Sequence, residues 1–236
     1  MKEFDYETID PGYYHRAMLH GNKIQRFWHT WKFAIVAERI PHKKTTVVDI
    51  GCGPGSFFYV LRKKNKDAIL VGTDLMLKQL EFAKTIAPDA HWFASDATKL
   101  PLKTGAITTF TMLELIEHLP YATEREMLEQ IHKSLAPNGR IIITTPNYHS
   151  LWPLIEWFWN IMSPVSYKHQ HINRKTMPKL ARSLHNAGFK VESIKTFFVL
   201  SPFFAFISPR FAEWLLRIEQ KYLPGLGACI IAEATA

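Results

Sequence analysis

The segment Thr45 to Phe57, TTVVDIGCGPGSF, constrains this chain more than any other. The β-branched run TTVVDI reads as a strand buried on both faces. It ends in Asp49-Ile50-Gly51-Cys52-Gly53-Pro54-Gly55, and a helical pattern follows from Ser56 to Lys64, with Phe57, Val60 and Leu61 on one face. Glycines at such a junction let the backbone approach a ligand closely and adopt positive φ where the turn requires it. In an open α/β sheet the junction lies at the carboxyl ends of the strands, which is where ligands bind.

The alternation continues downstream. Ala68–Thr73 reads as a second strand, Met76–Ile86 as a helix stopped by Pro88, His91–Ala94 as a third strand and Ala106–Met112 as a fourth. A longer helix spans Thr123–Leu135, with Thr123 and Glu126 spaced as a capping box and Met127, Leu128, Ile131 and Leu135 on one face. Pro137-Asn138-Gly139 then turns the chain into a fifth strand, Arg140–Thr145. A helix at Met177–Ala187, a strand at Lys190–Phe197 and a final strand within GACIIAEA complete the pattern. Strands alternating with helices imply a mostly parallel sheet joined by right-handed crossovers, an α/β fold of the Rossmann-like type with helices on both faces.

Two acidic residues sit where a nucleoside would need them. Asp74 closes the second strand, where a carboxylate can accept both hydrogen bonds of a ribose diol. Asp96 follows the third strand, placed to accept from an adenine amino group. A dinucleotide site uses the same ingredients, but its G-x-G-x-x-G spacing would put the third glycine at position 56, which is Ser56; the glycine is at 55. A pyrophosphate also wants bare helix-terminal N–H groups, whereas Asp49 sets a carboxylate beside the loop. That suits a zwitterion carrying an ammonium group. The plainer alternative is a tight strand–helix turn with no ligand.

VVDIGCGPGSF, followed in order by VGTDLM, SDATKLP and LELIEHL, resembles the motif series of class I S-adenosylmethionine-dependent methyltransferases, closely over residues 30–147 and more loosely through GFKV…GACIIAEA. The resemblance implies a seven-stranded sheet whose last strand is antiparallel, with residues 1–40 a helical lid and 41–236 the methyltransferase domain. It implies that Asp49, Gly51 and Gly53 hold the methionine end of the cofactor, with Cys52 and Gly55 in the same loop. Asp74 binds the ribose, Leu75 packs beside the adenine, Asp96 and Ala97 read its edge, and Leu113 lines the site near the sulfonium. Methyl transfer is an in-line displacement with a neutral leaving group, so alignment supplies much of the acceleration and a base is needed only to deprotonate the acceptor. A non-catalytic cofactor-binding scaffold on the same fold is the alternative of a different class.

Glu114, Glu117 and His118 follow the fourth strand, and one helical turn would put them on one face at i, i+3, i+4. Glu117 and His118 are the candidate catalytic pair. Two carboxylates and an imidazole could also hold a divalent cation. The stretch resembles Glu-x-x-Glu-His of ubiquinone-biosynthesis O-methyltransferases and of small-RNA 2′-O-methyltransferases, and His169 or His171 is the candidate further ligand. Shaping of the loop, or metal-free catalysis, is the competing reading.

Acceptor recognition in this class lies in the N-terminal segment and in insertions, here about 148–175 and 198–226. Tyr13, Tyr14 and His15 are candidate contacts. Trp152, Trp157, Phe158 and Trp159 fill the first insertion; Phe197, Phe198, Phe203, Phe204, Phe206 and Phe211 fill or flank the second. Prolines break both stretches below transmembrane length. They read either as ordinary packing or as an apolar acceptor tunnel or membrane contact. A small apolar acceptor is expected, with a membrane surface as a second partner. Nucleic acid is the weaker alternative: the net charge is +8, but the aromatic clusters lack interleaved Lys and Arg. The densest cations, Arg62, Lys63, Lys64 and Lys66, fall at a helix end, where they complement the dipole. Two distant cysteines and an acidic N-terminus without a signal-peptide pattern suggest a cytoplasmic protein, peripheral at the inner membrane face if a membrane is touched.

Overall fold

The structure, a computed structural model, describes residues 10–42, 45–162 and 170–236, with the backbone alone at 158–162. Two helices come first, α1 (Tyr13–His20) and α2 (Lys23–Ala37). Alternation then begins with β1 (Thr46–Ile50), α3 (Ser56–Leu61), β2 (Ile69–Asp74), α4 (Leu77–Ile86), β3 (His91–Ala94) and β4 (Ile107–Leu113). A 3-10 turn, Ile116–His118, precedes α5 (Tyr121–Ser134) and β5 (Leu135–Pro146). The remainder is α6 (Trp152–Met162), α7 (Met177–Asn186), β6 (Lys190–Phe197), α8 (Ser201–Phe204), α9 (Pro209–Tyr222) and β7 (Cys229–Thr235).

Among the described residues the seven strands form one sheet in the order β3-β2-β1-β4-β5-β7-β6. β1 pairs in parallel with both β2 and β4, while β7 runs antiparallel between β5 and β6. The expected Rossmann-like sheet with an antiparallel last strand is therefore the observed one. Buried β-branched strands feed both faces by simple alternation. Val47, Ile142 and Ile231 point into one core with Phe57, Phe58, Ile35 and Leu216, while Val48, Ile143 and Ile230 point into the other with Met127, Leu128 and Ile131.

Three local expectations fail. The helix after the glycine loop stops at Leu61 rather than Lys64, and Pro137-Asn138-Gly139 lies inside β5, where the pairing with β4 shifts register, rather than before it. The long helix starts at Tyr121, after Pro120, so Thr123 lies inside the first turn and makes no cap, and the Thr123–Glu126 capping box does not form. Pro120 removes an N–H that the first turn would have left unpaired, so the chain can enter the helix earlier.

The order of the strands positions the site. The chain leaves β1 toward β2 and β3 on one side, and later returns to β4 and β5 on the other. The loops after β1 and β4 therefore diverge, and a crevice opens between them, as topology requires at a switch point.

Candidate active site

The crevice widens into a cavity of about 500 Å³. One wall is the glycine loop. Gly51, Gly53 and Gly55 all have positive φ, at 69°, 50° and 73°. A side chain at Gly53 would meet no protein atom within 4 Å, and Gly53 lines the cavity, so the missing Cβ leaves room that a ligand could occupy. Gly55 is glycine for a different reason. It caps α3 away from the cavity wall, and a Cβ there would lie 2.8 Å from the Trp92 ring and 3.1 Å from Ala83.

The carboxylates expected at the strand ends are in place. Asp49 is buried and accepts a hydrogen bond from the Thr111 hydroxyl at 2.6 Å. Burial first, and Asp74 second, push its pKa up to about 7. Asp74 accepts from the backbone N–H groups of Gly53 at 2.8 Å and Met76 at 2.9 Å, so it is held rigidly between the loop and α4. Burial raises its pKa despite those bonds. A carboxylate offers about four lone-pair sites, so both oxygens retain capacity for a diol. Leu75 lines the same cavity with 74% of its surface exposed, an apolar platform with no protein covering it. Asp96 is exposed; its Oδ1 accepts from the Thr98 N–H and hydroxyl, both at 2.8 Å, which keeps it ionised. Cys52, Ala97 and Leu113 also line the cavity.

Part of its lining is ionisable. Glu117 is fully buried on the 3-10 turn, and its Oε2 accepts from the Thr145 hydroxyl at 2.9 Å. Its Oε1 has no hydrogen-bond partner among the described residues and lies 4.0 Å from His118 Nε2. Burial, then the nearby Glu114, lifts the Glu117 pKa to about 7. His118 places Nδ1 3.0 Å from the Gln170 carbonyl, and burial holds its pKa down at about 4, so the ring is neutral. His171 places Nδ1 2.8 Å from Glu156 and 2.7 Å from the Tyr148 hydroxyl. Burial opposes its protonation, but Glu156, Glu117 and Glu114 together outweigh it and raise its pKa.

Glu117, His118 and His171 each present a ligand atom, all within 4.8 Å of one another. The expected geometry of this cluster needs correction in one respect. Glu114 lies outside the turn, so no single helical face carries all three residues of LELIEHL. Its φ of 58° is strained for a residue with a side chain, and its buried Oε1 has no partner among the described residues. His169 lies outside the described residues.

Residues distant in sequence complete the walls. Tyr14, Trp28, His29, Lys32 and Phe33 come from the first two helices, and Trp152 from α6. Trp28 packs between Trp152, at 5.8 Å, and Phe198, at 4.6 Å, and Trp152 lies 6.3 Å from the His171 ring. Of the other N-terminal candidates, His15 is buried 3.1 Å from the Ser56 hydroxyl and Tyr13 meets Tyr14 edge-on, so both support the wall rather than face the cavity. Lys32, Tyr148, Glu156 and Thr145 carried no local signal: only the packing of α2, α6 and β5 brings them here.

Comparison with known proteins identifies the family. A family model described as a methyltransferase domain matches residues 15–194. A tRNA U34 carboxymethyltransferase of Pseudoalteromonas translucida is 30% identical over 54% of this chain and 40% of its own. A probable chloroplastic tocopherol O-methyltransferase of Oryza sativa is 29% identical over 51% of this chain and 34% of its own. The chain thus spans well under half the length of these relatives. Among solved structures, an S-adenosylmethionine-dependent methyltransferase of Mesorhizobium loti superposes with a TM-score of 0.62 at 18% identity, covering 87% of this chain and 98% of that one. The matched model runs from within the first helix into β6, across most of the sheet and every residue lining the cavity except Tyr14, and the chain belongs to the methyltransferase-domain family.

Proposed function

We propose that this protein transfers the methyl group of S-adenosylmethionine to an oxygen of a small, apolar acceptor. The observation that carries the proposal is one cavity joining the glycine loop and its two carboxylates to a wall of Tyr14, Trp28, Phe33 and Trp152, with Glu117 and His118 in its lining. In this reading Asp49 pairs with the ammonium of the methionine end, beside Gly51, Cys52 and Gly53. Asp74 accepts from the ribose diol, Leu75 covers the adenine, Asp96 and Ala97 meet its edge, and Leu113 flanks the sulfonium. The first two helices act as a lid, and the insertions at about 148–175 and 198–226 shape the acceptor side.

The displacement breaks the sulfur–methyl bond and releases a neutral thioether, so the leaving group needs no proton. The acceptor hydroxyl must lose one. Glu117 is suited to take it, since a pKa near 7 keeps it partly ionised while leaving it basic enough to act. Apolar walls exclude water and strengthen each polar contact in the cavity. The relative acting on tocopherol supports a lipophilic acceptor; the one acting on tRNA keeps RNA as the rival.

Calorimetric titration with S-adenosylmethionine, followed by a methyl-transfer screen against lipophilic phenols, water-soluble acids and RNA, tests the reading. Binding with transfer to the phenols is expected. Transfer to RNA alone, weakening steeply with salt, would displace the acceptor assignment, and absence of cofactor binding would leave a scaffold.

A divalent cation is a second reading of the same part of the cavity. The Glu117 Oε1, buried without a hydrogen-bond partner among the described residues, lies 4.0 Å from His118 Nε2, and Glu117, His118 and His171 each offer a ligand atom within 4.8 Å of the others. Each imidazole also has its Nδ1 held by an acceptor, Gln170 or Glu156, which is the arrangement that orients metal-binding histidines. Glu117, His118 and His171 would hold the ion, with Glu114 nearby, and the ion would polarise the acceptor oxygen. Metal analysis of the purified protein, with activity measured before and after chelation, decides: unchanged activity without bound metal assigns the site to Glu117 as base.

A further inference from the structure

The pair α8 and α9 carries a surface that the proposed reaction does not use. Toward the protein, α9 buries Ala212, Leu216 and Glu219 at i, i+4, i+7. Glu219 is consumed internally, accepting from the N–H groups of Val199, Leu200 and Ser201 and from the Ser201 hydroxyl. The opposite side of α9 presents Arg210, Phe211, Trp214, Arg217 and Lys221 to solvent. On the turn between the helices, Phe206 and Ile207 are 68% and 74% exposed. The rings are contiguous: Phe204 meets Phe211 at 5.5 Å, and Phe211 stacks on Trp214 at 5.5 Å.

The charge around this edge has one sign. Lys23, at the start of α2, reaches the Phe206 carbonyl at 3.1 Å and lies 5.8 Å from its ring. Glu213, the other acid on α9, is neutralised by Arg217 at 3.1 Å. Arg210 and Lys221 have no acidic partner among the described residues. Monomeric proteins rarely leave a run of large apolar side chains in water. Exposed Phe and Ile at a turn, Trp beside them and cations around them form the pattern of a helix lying in a membrane interface, with rings at the headgroup level and cations on anionic lipids. No described helix is long and apolar enough to cross a membrane, so such a surface would rest on the bilayer rather than span it.

We propose that the α8–α9 face docks on an anionic lipid bilayer, from which the acceptor is drawn. The second clause rests on the apolar-acceptor reading; the first stands on the surface alone. Helix α2 links the two regions, with Lys23 at the docking face and Trp28 on the cavity wall.

The test is co-sedimentation of the full chain, without cofactor or acceptor, with vesicles of phosphatidylcholine alone or mixed with phosphatidylglycerol. Binding to the mixed vesicles, weakened by salt, is expected. Phe206→Glu/Ile207→Glu should weaken it at least about tenfold, and Arg210→Glu/Lys221→Glu by about tenfold or more. Both variants should keep wild-type melting and S-adenosylmethionine affinity, since none of the four residues touches the cavity. Wild-type protein remaining in the supernatant, or Phe206→Glu/Ile207→Glu binding as well as wild type, would overturn the docking proposal. A concentration-dependent dimer lost in the same variant, without vesicle binding, would overturn it in favour of self-association. Vesicle binding combined with methylation of only water-soluble acceptors would instead remove the acceptor reading and leave the docking surface intact.

Discussion

Asp49 and Glu117 are buried carboxyls lining one cavity, both with pKa values pushed up to about 7. If Asp49 receives the ammonium of the cofactor, it must ionise to do so. Cofactor affinity should therefore fall on acidification, by about tenfold for each pH unit below 7, and Asp49→Asn should flatten that dependence in calorimetry. The stability linkage has the opposite sign. A carboxyl whose folded pKa is raised contributes stability below its unfolded value, and loses it as pH rises through the folded one. The cofactor-free protein should accordingly lose thermal stability between about pH 4 and about pH 7 through these two groups, and the cofactor should restore it at the upper end. Glu114 offers a separate test. Relieving its left-handed backbone with Glu114→Gly should raise stability by about 1 kcal/mol while lowering methyl transfer, read from denaturant melts and initial rates. A variant both less stable and fully active would remove Glu114 from the site.

At the scale of elements, the cavity depends on how the segment 170–175 is tied down. Asn173 receives the backbone contact that fixes it: its N–H donates to the Glu117 carbonyl at 2.9 Å. Its side chain donates to the Leu119 carbonyl at 3.2 Å and to Glu124. Lys175 is fully buried and donates to both Glu124 oxygens, at 2.6 and 2.7 Å, and to Ser183 at 3.1 Å. This clamp joins α5, α7 and the 3-10 turn, and so sets His171 against His118, whose rings lie 5.0 Å apart. Breaking a buried pair strands the remaining charge, so Lys175→Ala should cost about 3–5 kcal/mol in urea unfolding. Glu124→Gln/Lys175→Met, which removes both charges, should recover part of that loss. The cations at the end of α3 are similarly occupied. Arg62 donates to the Lys66 and Ala68 carbonyls, and Lys64 pairs with Glu38, so these two cations brace the turn after α3.

For the whole molecule, the crevice exists because β1 lies between β2 and β4, and everything the site needs arrives at that one edge of the sheet. Saturation with a ligand bound only by the folded state raises stability by about 2.7 kcal/mol at a hundredfold excess over Kd. S-adenosylmethionine should therefore raise the melting temperature in a concentration-dependent way. Gly53→Arg, which would fill the open space at the loop, should abolish that shift, while its positive φ lowers the unliganded stability by only about 1–2 kcal/mol. A shift that persists in the variant would place the cofactor elsewhere.

Local sequence alone determined the alternation of strand and helix, the glycine loop, and Asp49, Asp74 and Asp96 at or beside strand ends. These features depend on period and on neighbouring residues: β3 and β6 begin and end where the residue pattern predicts, and β1, β2 and β4 lie within a residue of it. Tertiary structure decided what long-range packing must supply. It excluded Glu114 from the turn carrying Glu117 and His118, and turned Gly55 toward Ala83 and Trp92 instead of the cavity. It brought Trp28, Lys32, Trp152 and His171 to one wall from segments more than a hundred residues apart. No spacing along the chain encodes such proximity, because it is set by the sheet order and by which helices cover each face. The glycine loop was legible because its chemistry is written in consecutive residues, whereas the acceptor wall is assembled only when the sheet closes around it.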